Sequence, residues 1–578
     1  MAARSYPHTT AQQVRRGWHL GWVDAAVVMA VLVLLWLILA LSGDMRVQFD
    51  ELHPPALSLD PALIPYYTGR TVLRMFIAFI ASLLFTFGYG YLAARNARAR
   101  TLMLPLLDIL QSVPILGFIS VTVVFFLSLA PGRVLGAEFA AVFAIFTSQA
   151  WNMAFSFYQS LRTVPTELTE AARSFHLSAW ARFWRLEVPF AMPPLLWNMM
   201  MSMSGGWFFV VASEAISVGS TNLMLPGIGS YIALAIEKKD LVAVGWAIGT
   251  MLAVILIYDQ LLFRPLVAWA DRFRFEQEPG AIPPHSWILD ALGRSLLVAR
   301  ALRSLRRAGQ QLGAAVRSAP GSVRLESHVH ARRLDLIATG IVGVLLGLAV
   351  WQAGKFLMPE LGWRDVGTTL GLGAITMARV FLLIATASLI WVPIGVYVGL
   401  RPSVARIVQP LAQFMAAFPA NLLFPVVVFG IVSWRLNPDV WLSPLMILGT
   451  QWYILFNVIA GAAAIPGEMR SVATNLGVGG LLWWRRIALP AVFPYFVTGA
   501  LTASGGSWNA SIVAEVASWG SEKVEAAGLG AYIANATTAG DFHRIVLGVV
   551  TMSLYVLLIN RLLWRPLYYY AERKYRLS

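Results

Sequence analysis

The feature that most constrains this chain is a series of uninterrupted apolar runs, each long enough to cross a lipid bilayer. The plainest run covers residues 23–41 and holds one charged residue, Asp24, near its start. A helix needs about 20 residues to cross the hydrocarbon core, and backbone polar groups cannot stay unpaired in lipid. Barrel strands would be short and alternating. Because only 13% of the residues are charged, about half the share of a soluble protein, we predict an all-α polytopic membrane protein.

The apolar runs predict about twelve membrane spans. Basic residues precede the first run, as in a signal peptide, but the run is longer than the apolar region of a signal peptide and is expected to remain as a span. The predicted spans lie near residues 23–41, 71–93, 104–129, 137–160, 191–216, 242–264, 335–352, 375–399, 409–433, 440–464, 492–517 and 544–565.

The charges of the connecting loops predict the orientation. Arginines are concentrated in the loops 93–104, 161–190 and 466–490 and in the stretch 268–334, whereas the loop 42–69 is mainly acidic. Cytoplasmic loops carry the excess of positive charge, so the basic loops and both termini are predicted to be cytoplasmic, in a bacterial inner membrane. The same rule explains the net charge of +15, and nucleic-acid binding is not expected.

The second half of the chain repeats the first. The matching pairs are Pro105 and Pro410, Pro114 and Pro419, Arg74 and Arg379, and then, at a spacing of 301, Pro165 and Pro466, Pro189 and Pro490, and Glu214 and Glu515. Prolines do not keep such a register by chance, so the pattern indicates an internal duplication. Matching loops lie on the same predicted side, which makes the two six-helix repeats parallel and places a pathway between them.

The duplication divides the chain into three parts. Residues 1–267 form the first half, 268–334 a basic cytoplasmic linker and 335–578 the second half. Within the linker, 286–307 could form an interfacial helix, with an apolar stripe that begins at Trp287 and arginines facing lipid headgroups. A solvated basic tether is the alternative.

The most informative motif is a long basic loop before the fifth predicted span of each half. In the first copy, Val164-Pro165 is followed by Thr-Glu-Leu-Thr-Glu-Ala-Ala-Arg, and the loop ends at Val188-Pro189. Pro165 suits the first turn of a helix because its missing N–H is not needed there, and Glu167 suits the positive end of the helix dipole. The pattern predicts a short helix, a turn and a second helix that lies across the cytoplasmic face and ends at Pro189.

These loops, 163–190 and 464–490, resemble the EAA loop of ABC importer permeases, whose pattern is Glu-Ala-Ala, three residues, Gly, and a stretch ending in Leu-Pro. His176 stands where the pattern has glycine, and Ser471-Val472 replaces Glu-Ala in the second copy. The residues assigned to ATPase coupling by this resemblance are Glu167, Glu170, Ala171, Ala172, His176, Pro189, Ala473, Gly477 and Pro490.

The resemblance extends over nearly the whole chain except the linker and is strongest to fused, duplicated members of the nitrate, sulfonate, taurine and bicarbonate subgroup. It implies a type I ABC importer permease fold that imports a small anion by alternating access. The implied partners are two cytoplasmic ATPase subunits, a periplasmic or lipid-anchored substrate-binding protein and membrane lipid. It implies that ATP is used by the partner subunits and that this chain itself binds no cofactor.

A glycine-rich segment in the fifth span of each half is predicted to line the pathway. Glycine pairs in a membrane helix allow close packing, a kink or exposed backbone, and packing alone is the alternative. The predicted pathway residues are Ser204, Gly205, Gly206, Trp207, Glu214, Ser504, Gly505, Gly506, Ser507, Trp508, Asn509 and Glu515.

Four charged residues repeat near the ends of the spans. Glu214 and Glu515 are expected to brace the ends of their helices rather than to bind an anion, which they would repel. Arg74 and Arg379 are expected to snorkel to the membrane interface. The mid-membrane Gln149 is expected to form hydrogen bonds between helices.

Several functional classes lack their motifs in this sequence. There is no Gly-x-x-x-x-Gly-Lys-Ser/Thr loop, so an ATPase would be a separate subunit, and the chain is not expected to be an enzyme. Cysteine is absent, and the eight histidines form no metal-binding pattern. An ion-coupled secondary transporter with two parallel six-helix halves is the alternative function, although the loop around Arg95 lacks the Gly-x-x-x-Asp-Arg pattern common in that class.

Overall fold

The structure is a computed structural model, and every statement below concerns the residues that it describes. These are residues 22–43, 57–131, 133–218, 221–273, 286–295, 297–301, 303–304, 307, 340, 343–344, 347–348 and 351–575.

Helices dominate the first half, as the long apolar runs require. They are α1 Trp22–Gly43, α2 Ile64–Arg95, α3 Ala97–Ser112, α4 Ile115–Leu129, α5 Val134–Arg162, α6 Thr166–Ser174, α7 Ala179–Arg182, α8 Val188–Glu214, α9 Ile228–Glu237, α10 Leu241–Tyr258, α11 Arg264–Ala270 and, in the linker, α12 Trp287–Arg294.

The second half repeats this order. Its helices are α13 Trp363–Gly399, α14 Pro402–Ala417, α15 Phe424–Ser433, α16 Pro438–Trp441, α17 Gln451–Ala463, α18 Gly467–Asn475, α19 Gly480–Trp483, α20 Leu489–Ala514, α21 Leu529–Ala539, α22 Phe542–Ile559 and α23 Arg565–Tyr575. Short 3-10 or π-helical turns join several of them, including Phe183–Glu187 and Trp484–Ala488.

Eight of the described helices are long and apolar enough to cross a membrane, or up to ten if each of two bent pairs is one span. Eight of the twelve predicted spans are matched by these helices, and ten are matched if each bent pair is counted as one span. The predicted span 104–129 is instead two helices that separate at Pro114, and the predicted span 335–352 lies mostly outside the described residues. The second half breaks at the equivalent Pro419, where Pro402–Ala417 and Ala420–Ser433 are bent by 76°.

Two antiparallel hairpins, which the sequence analysis did not predict, follow α8 in the first half and α20 in the second. Ala215–Val218 (β1) pairs with Thr221–Met224 (β2), and Val516–Trp519 (β3) pairs with Glu522–Glu525 (β4). The predicted spans 191–216 and 492–517 therefore end at the glutamates, and the following residues turn back on themselves.

The chain packs as two compact units. One unit comprises Met1–Ser42, Thr163–Leu196 and Tyr258–Glu326, and the other comprises Gly43–Arg162, Trp197–Ile257 and Ser327–Ser578, within the described residues. The second unit contains most of the helices of both halves. Its interior includes a core cluster in which Val398 of α13, Ala412 of α14 and Leu455 of α17 meet.

The linker does not form the continuous helix expected over 286–307. Helix α12 ends at Arg294, and Ser295 is extended, with φ −78° and ψ 124°. The Ser295 hydroxyl donates to Oδ1 of Asp24 at 2.6 Å, and the Leu297 N–H donates to the same oxygen at 3.0 Å. The buried Asp24 carboxylate thus caps the helical turn after Ser295, and this cap separates the turn from α12. The linker beyond Arg307 lies outside the described residues.

Candidate translocation pathway and coupling segments

Each EAA-like loop contains the predicted short helix. In the first half α6 starts directly after Pro165 and carries Glu167 in its first turn. In the second half α18 starts after Pro466 and carries Glu468 in its first turn. The carboxylate near each helix start complements the partial positive charge of the free N–H groups there.

The second part of each loop differs from the prediction. The short helix α7 runs through the π-helical turn into α8, so that Ala179–Glu214 is one continuous helix of 36 residues. Gly480–Ala514 is the corresponding continuous helix of the second half. Pro189 therefore does not end the segment. It follows the π-helical turn Phe183–Glu187 inside the continuous helix, and prolines and π-helical turns can bend a helix without ending it. Each fifth span is therefore continuous with the second part of its EAA-like loop. We call the segments 166–187 and 467–488 of these loops the candidate coupling segments.

The turn after each short helix requires a left-handed residue. His176 has φ +51° and Gly477 has φ +63° at the equivalent position. Glycine adopts this conformation without a steric penalty, whereas a residue with a Cβ is strained there. The glycine of the family pattern is thus a conformational requirement, and the first half meets it with a strained histidine.

The two loops also differ where they join the fifth span. Glu187 is fully buried and pairs with Arg182, whose Nε lies 2.9 Å from the Glu187 carboxylate. Trp483 and Ala488 occupy the equivalent positions in the second half. A buried carboxylate needs such a partner, so the first joint is held by charge and the second by packing.

A buried cluster of four charges lies at the end of α8 in the first half, and we call it the first ion-pair cluster. Arg74 contacts Oε2 of Glu138 at 2.6 Å and Oε1 of Glu214 at 2.7 Å. Arg70 contacts Oε1 of Glu138 at 2.5 Å. All four side chains are at most 3% exposed, and their formal charges cancel.

The segment Gly227-Ile228-Gly229 contacts this cluster. The Gly229 N–H donates to Oε2 of Glu214 at 2.7 Å, and the Ile228 N–H donates to the Thr71 hydroxyl at 3.0 Å. That hydroxyl in turn donates to Oε1 of Glu214 at 2.7 Å. A Cβ on Gly227 would collide with the Glu214 carboxylate, which explains the need for glycine.

The second ion-pair cluster has the same plan with fewer cations. Arg379 contacts Oε1 of Glu515 at 2.8 Å and Oδ1 of Asp439 at 3.4 Å. Thr376 donates to Oε1 of Glu515 at 2.9 Å, and a Cβ on Gly528 would again collide with the carboxylate. The second arginine is missing, because the position equivalent to Arg70 is an isoleucine.

These contacts decide the expectations about the repeated charges. The bracing role of Glu214 and Glu515 is confirmed, since their oxygens accept bonds from the protein. Snorkelling of Arg74 and Arg379 was a wrong prediction, because their side chains are 0% and 10% exposed and ion-paired. The repetition of both signs of charge in register was the available signal of pairing. Glu138, the remaining anion of the first cluster, was missed.

The glycine-rich segments combine tight packing with open space. A Cβ on Gly206 would lie 2.5 Å from Nε2 of Gln149, and a Cβ on Gly506 would collide with Thr450. At Gly205 and Gly505, in contrast, a Cβ would meet nothing within 4 Å. One glycine of each pair therefore permits helix packing, and the other leaves space beside the helix.

The remaining predicted pathway residues divide into buried and accessible groups. Trp207, Ser504, Ser507 and Trp508 are at most 3% exposed. Ser507 shares a 3.0 Å hydrogen bond with Thr450, and the buried Gln149 accepts from Ser82 at 3.3 Å, as expected for a polar residue between helices. These side chains hold helices together in this state. Ser204 and Asn509 are partly exposed.

The two halves make hydrogen bonds to each other at the breaks in their third spans. Oδ1 of Asn509 accepts from the Ile115 N–H at 2.7 Å. Nδ2 of Asn421 donates to the Phe208 carbonyl at 3.1 Å. Positions 208 and 509 are equivalent in the repeat, so a long helix contacts a broken span in both cases. The asparagine lies on the long helix in the first contact and on the broken span in the second. The Ser204 hydroxyl additionally donates to the Ala416 carbonyl.

Comparison with known proteins agrees with this architecture. Residues 86–264 and 391–576 each match the family described as binding-protein-dependent transport system inner membrane component. The chain belongs to this family. It is thus the membrane permease subunit of a transport system, and it carries the family's domain twice.

Individual relatives of this permease each match two fifths of the chain or less. The nitrate import permease protein of Leptolyngbya laminosa is 25% identical over 231 residues, which is 39% of this chain and 79% of the relative. The bicarbonate transport system permease protein of Synechococcus elongatus is 28% identical over 253 residues, which is 40% of this chain and 88% of the relative. The taurine transport system permease protein of Escherichia coli is 26% identical over 147 residues, covering 25% and 50% respectively.

Proposed function

We propose that this permease is the complete transmembrane channel of an ATP-driven importer for a small anion. One chain supplies both halves, two separate cytoplasmic ATPase subunits bind its coupling segments, and a substrate-binding protein delivers the solute on the other side. The observation that carries the proposal is the pair of helix–turn–helix segments, 166–187 and 467–488, each continuous with a fifth span.

Coupling relies on the stiffness of the continuous helices. An unbroken helix of 36 residues transmits a displacement of its first turns along its axis. ATP-driven closure of the ATPases would therefore move α7 together with α8, and α19 together with α20. The ion-pair clusters fix the far ends of these helices to the second span of each half.

The pathway runs between the glycine-rich segments of the two halves. The Asn509–Ile115 and Asn421–Phe208 hydrogen bonds hold the halves together in the described state. Alternating access requires them to break as the halves separate. The open space beside Gly205 and Gly505 is where a small solute would pass.

Three observations favour a small anion as the solute. Two of the relatives named above are, by name, permeases for the anions nitrate and bicarbonate. The carboxylates of Glu214 and Glu515 are already occupied by arginines, so they add little repulsion to a passing anion. The helices that restart after Pro114 and Pro419 also begin beside the pathway, and a helix start carries partial positive charge.

The two coupling segments permit a matched test. Glu170→Arg reverses a charge in the first helix of the first copy, whereas Ser471→Arg places the same side chain at the equivalent position of the second. Each variant would be purified with its ATPases and reconstituted with the substrate-binding protein. We expect Glu170→Arg to weaken ATPase retention and ATP-dependent uptake at least tenfold, and Ser471→Arg to have a smaller effect because no acidic contact is lost.

The fold of each variant is checked by its elution and its thermal unfolding without the ATPases, which should match those of the unchanged chain. Normal ATPase retention and uptake with Glu170→Arg would contradict the coupling role. Solute uptake by this chain alone, driven by an ion gradient without ATP, would instead establish a secondary transporter.

A further inference from the structure

The second half contains a recess whose walls are almost entirely apolar. It has a volume of about 510 Å³, within the range of roughly 300–1,000 Å³ that is usual for ligand sites. The Ser388 hydroxyl on its wall donates to the Ile384 carbonyl of the same helix at 2.6 Å, so it offers no free donor. The main lining residues are Leu389, Val392 and Pro393 of α13, and Leu481, Trp484 and Phe493 on the opposite wall.

The recess lies where the second coupling segment joins its span. One wall comes from α13, and the other comes from α19, the π-helical turn and the start of α20. Leu389 is 77% exposed and Leu481 is 73% exposed, so protein does not cover the rim. In a chain that spans a bilayer, an open apolar recess between two spans is filled by hydrocarbon.

Two exposed arginines adjoin the recess in sequence. Arg485 and Arg486 directly follow the lining residue Trp484 on the π-helical turn. The position equivalent to Arg485 in the first half is Trp184, so the paired arginines are specific to the second half. The cytoplasmic leaflet is rich in anionic lipids, which basic residues beside membrane helices attract.

We propose that this recess binds one acyl chain of an anionic phospholipid whose phosphate pairs with Arg485 and Arg486. The apolar walls and the adjacent positive charges match the two ends of such a molecule. The bound lipid would pack against the residues that connect the second coupling segment to α20. This connection lacks the Arg182–Glu187 ion pair of the first half. The assignment to the cytoplasmic leaflet rests on the proposed orientation of the coupling segments.

The test measures lipid binding to the delipidated full chain in detergent, without ATP. Phosphatidylglycerol and phosphatidylcholine with identical chains are titrated, and bound lipid is counted by native mass spectrometry. We expect preferential binding of phosphatidylglycerol. Arg485→Gln with Arg486→Gln should reduce its affinity by about fivefold for each arginine. The paired substitutions Arg406→Gln and Arg561→Gln remove two exposed arginines elsewhere and should leave it unchanged.

The apolar part of the site is tested by filling the recess. Val392→Trp, or Leu389→Trp if the first variant does not fold, should reduce the binding of both lipids because the acyl chain loses its space. Equal affinity for the two lipids, full binding after filling, or an equal loss with the control pair would each overturn the proposal. Since no ATP or transport is involved, these outcomes are independent of the coupling mechanism.

Discussion

The two ion-pair clusters share a plan but differ in their charge balance. In the first half two arginines neutralise two glutamates, and all four side chains are buried. In the second half one arginine faces two carboxylates, and Asp439 remains 54% exposed. Buried charges must be paired because the interior cannot solvate them. In the first half the second carboxylate is paired with a second cation, whereas in the second half Asp439 is exposed and also accepts from the Ala527 N–H at 2.8 Å.

The parts of the plan that do not involve charge are the same in both halves. A threonine one turn before the arginine and a Gly-X-Gly segment contact the glutamate in each case. The contact geometry is thus kept while the charges vary. Effects of substitution should therefore be unequal at the charged positions and equal at the glycines.

The largest effect is expected for removal of the central arginine of the first cluster. Arg74→Ala leaves two buried carboxylates with Arg70 alone, and should reduce the free energy of unfolding by about 3–5 kcal/mol, as breaking a buried ion pair does. Arg379→Ala should cost less, because Arg379 has one buried contact, with Glu515, and one longer contact with the exposed Asp439, whereas Arg74 has two short, buried contacts. Thermal unfolding of the purified chain in detergent measures both losses.

Asp439→Asn serves as a control, because it removes a charge from the second cluster without changing the size of the side chain. Asp439→Asn should change the unfolding temperature little, since that side chain is half exposed. Equal destabilisation by Arg74→Ala and Arg379→Ala would contradict the expected difference between the two clusters.

A smaller and equal effect is expected at the glycines that contact the glutamates. Gly227→Ala and Gly528→Ala each place a methyl group against a carboxylate, and overpacking of this kind typically costs about 1–3 kcal/mol. Gly205→Ala and Gly505→Ala are the matched controls, because a methyl group there meets open space. If only one of the two halves responds to its glycine substitution, the common geometry of the clusters is wrong.

The smallest effect is expected at the turn of the coupling loops. His176→Gly removes the backbone strain of a left-handed residue with a Cβ and should stabilise the chain by about 1 kcal/mol. Gly477→His introduces the same strain and should destabilise the chain by about 1 kcal/mol. Unfolding temperatures of the two variants, which carry opposite substitutions at equivalent positions, should shift in opposite directions. Shifts of the same sign would mean that contacts of His176, rather than its backbone conformation, dominate.

The sequence predicted the features of this fold that depend on local composition. Long apolar runs predicted the helices, and prolines in register predicted the duplication, because both signals are carried by neighbouring residues. The continuous passage from α7 into α8 was not predictable in the same way. Pro189 lies inside a continuous helix, directly after a π-helical turn, so the presence of a proline alone does not mark a helix end.

The candidate site was predicted less completely. The glycines and both glutamates were identified from their repetition, but the partners of Arg74 lie 64 and 140 residues away in sequence. No local pattern encodes such pairings. The hairpins after Glu214 and Glu515 were missed because their strands have only four residues each.

The amides that join the two halves have a consequence for how a solute is received. In a permease assembled from two identical chains, every side chain facing the solute occurs twice, and a lopsided molecule must choose between two equal orientations. Here Asn421 lies on a broken span of one wall and Asn509 on the long helix of the same half. The fused chain can therefore carry different side chains at equivalent positions of its two halves, which a pair of identical chains cannot do.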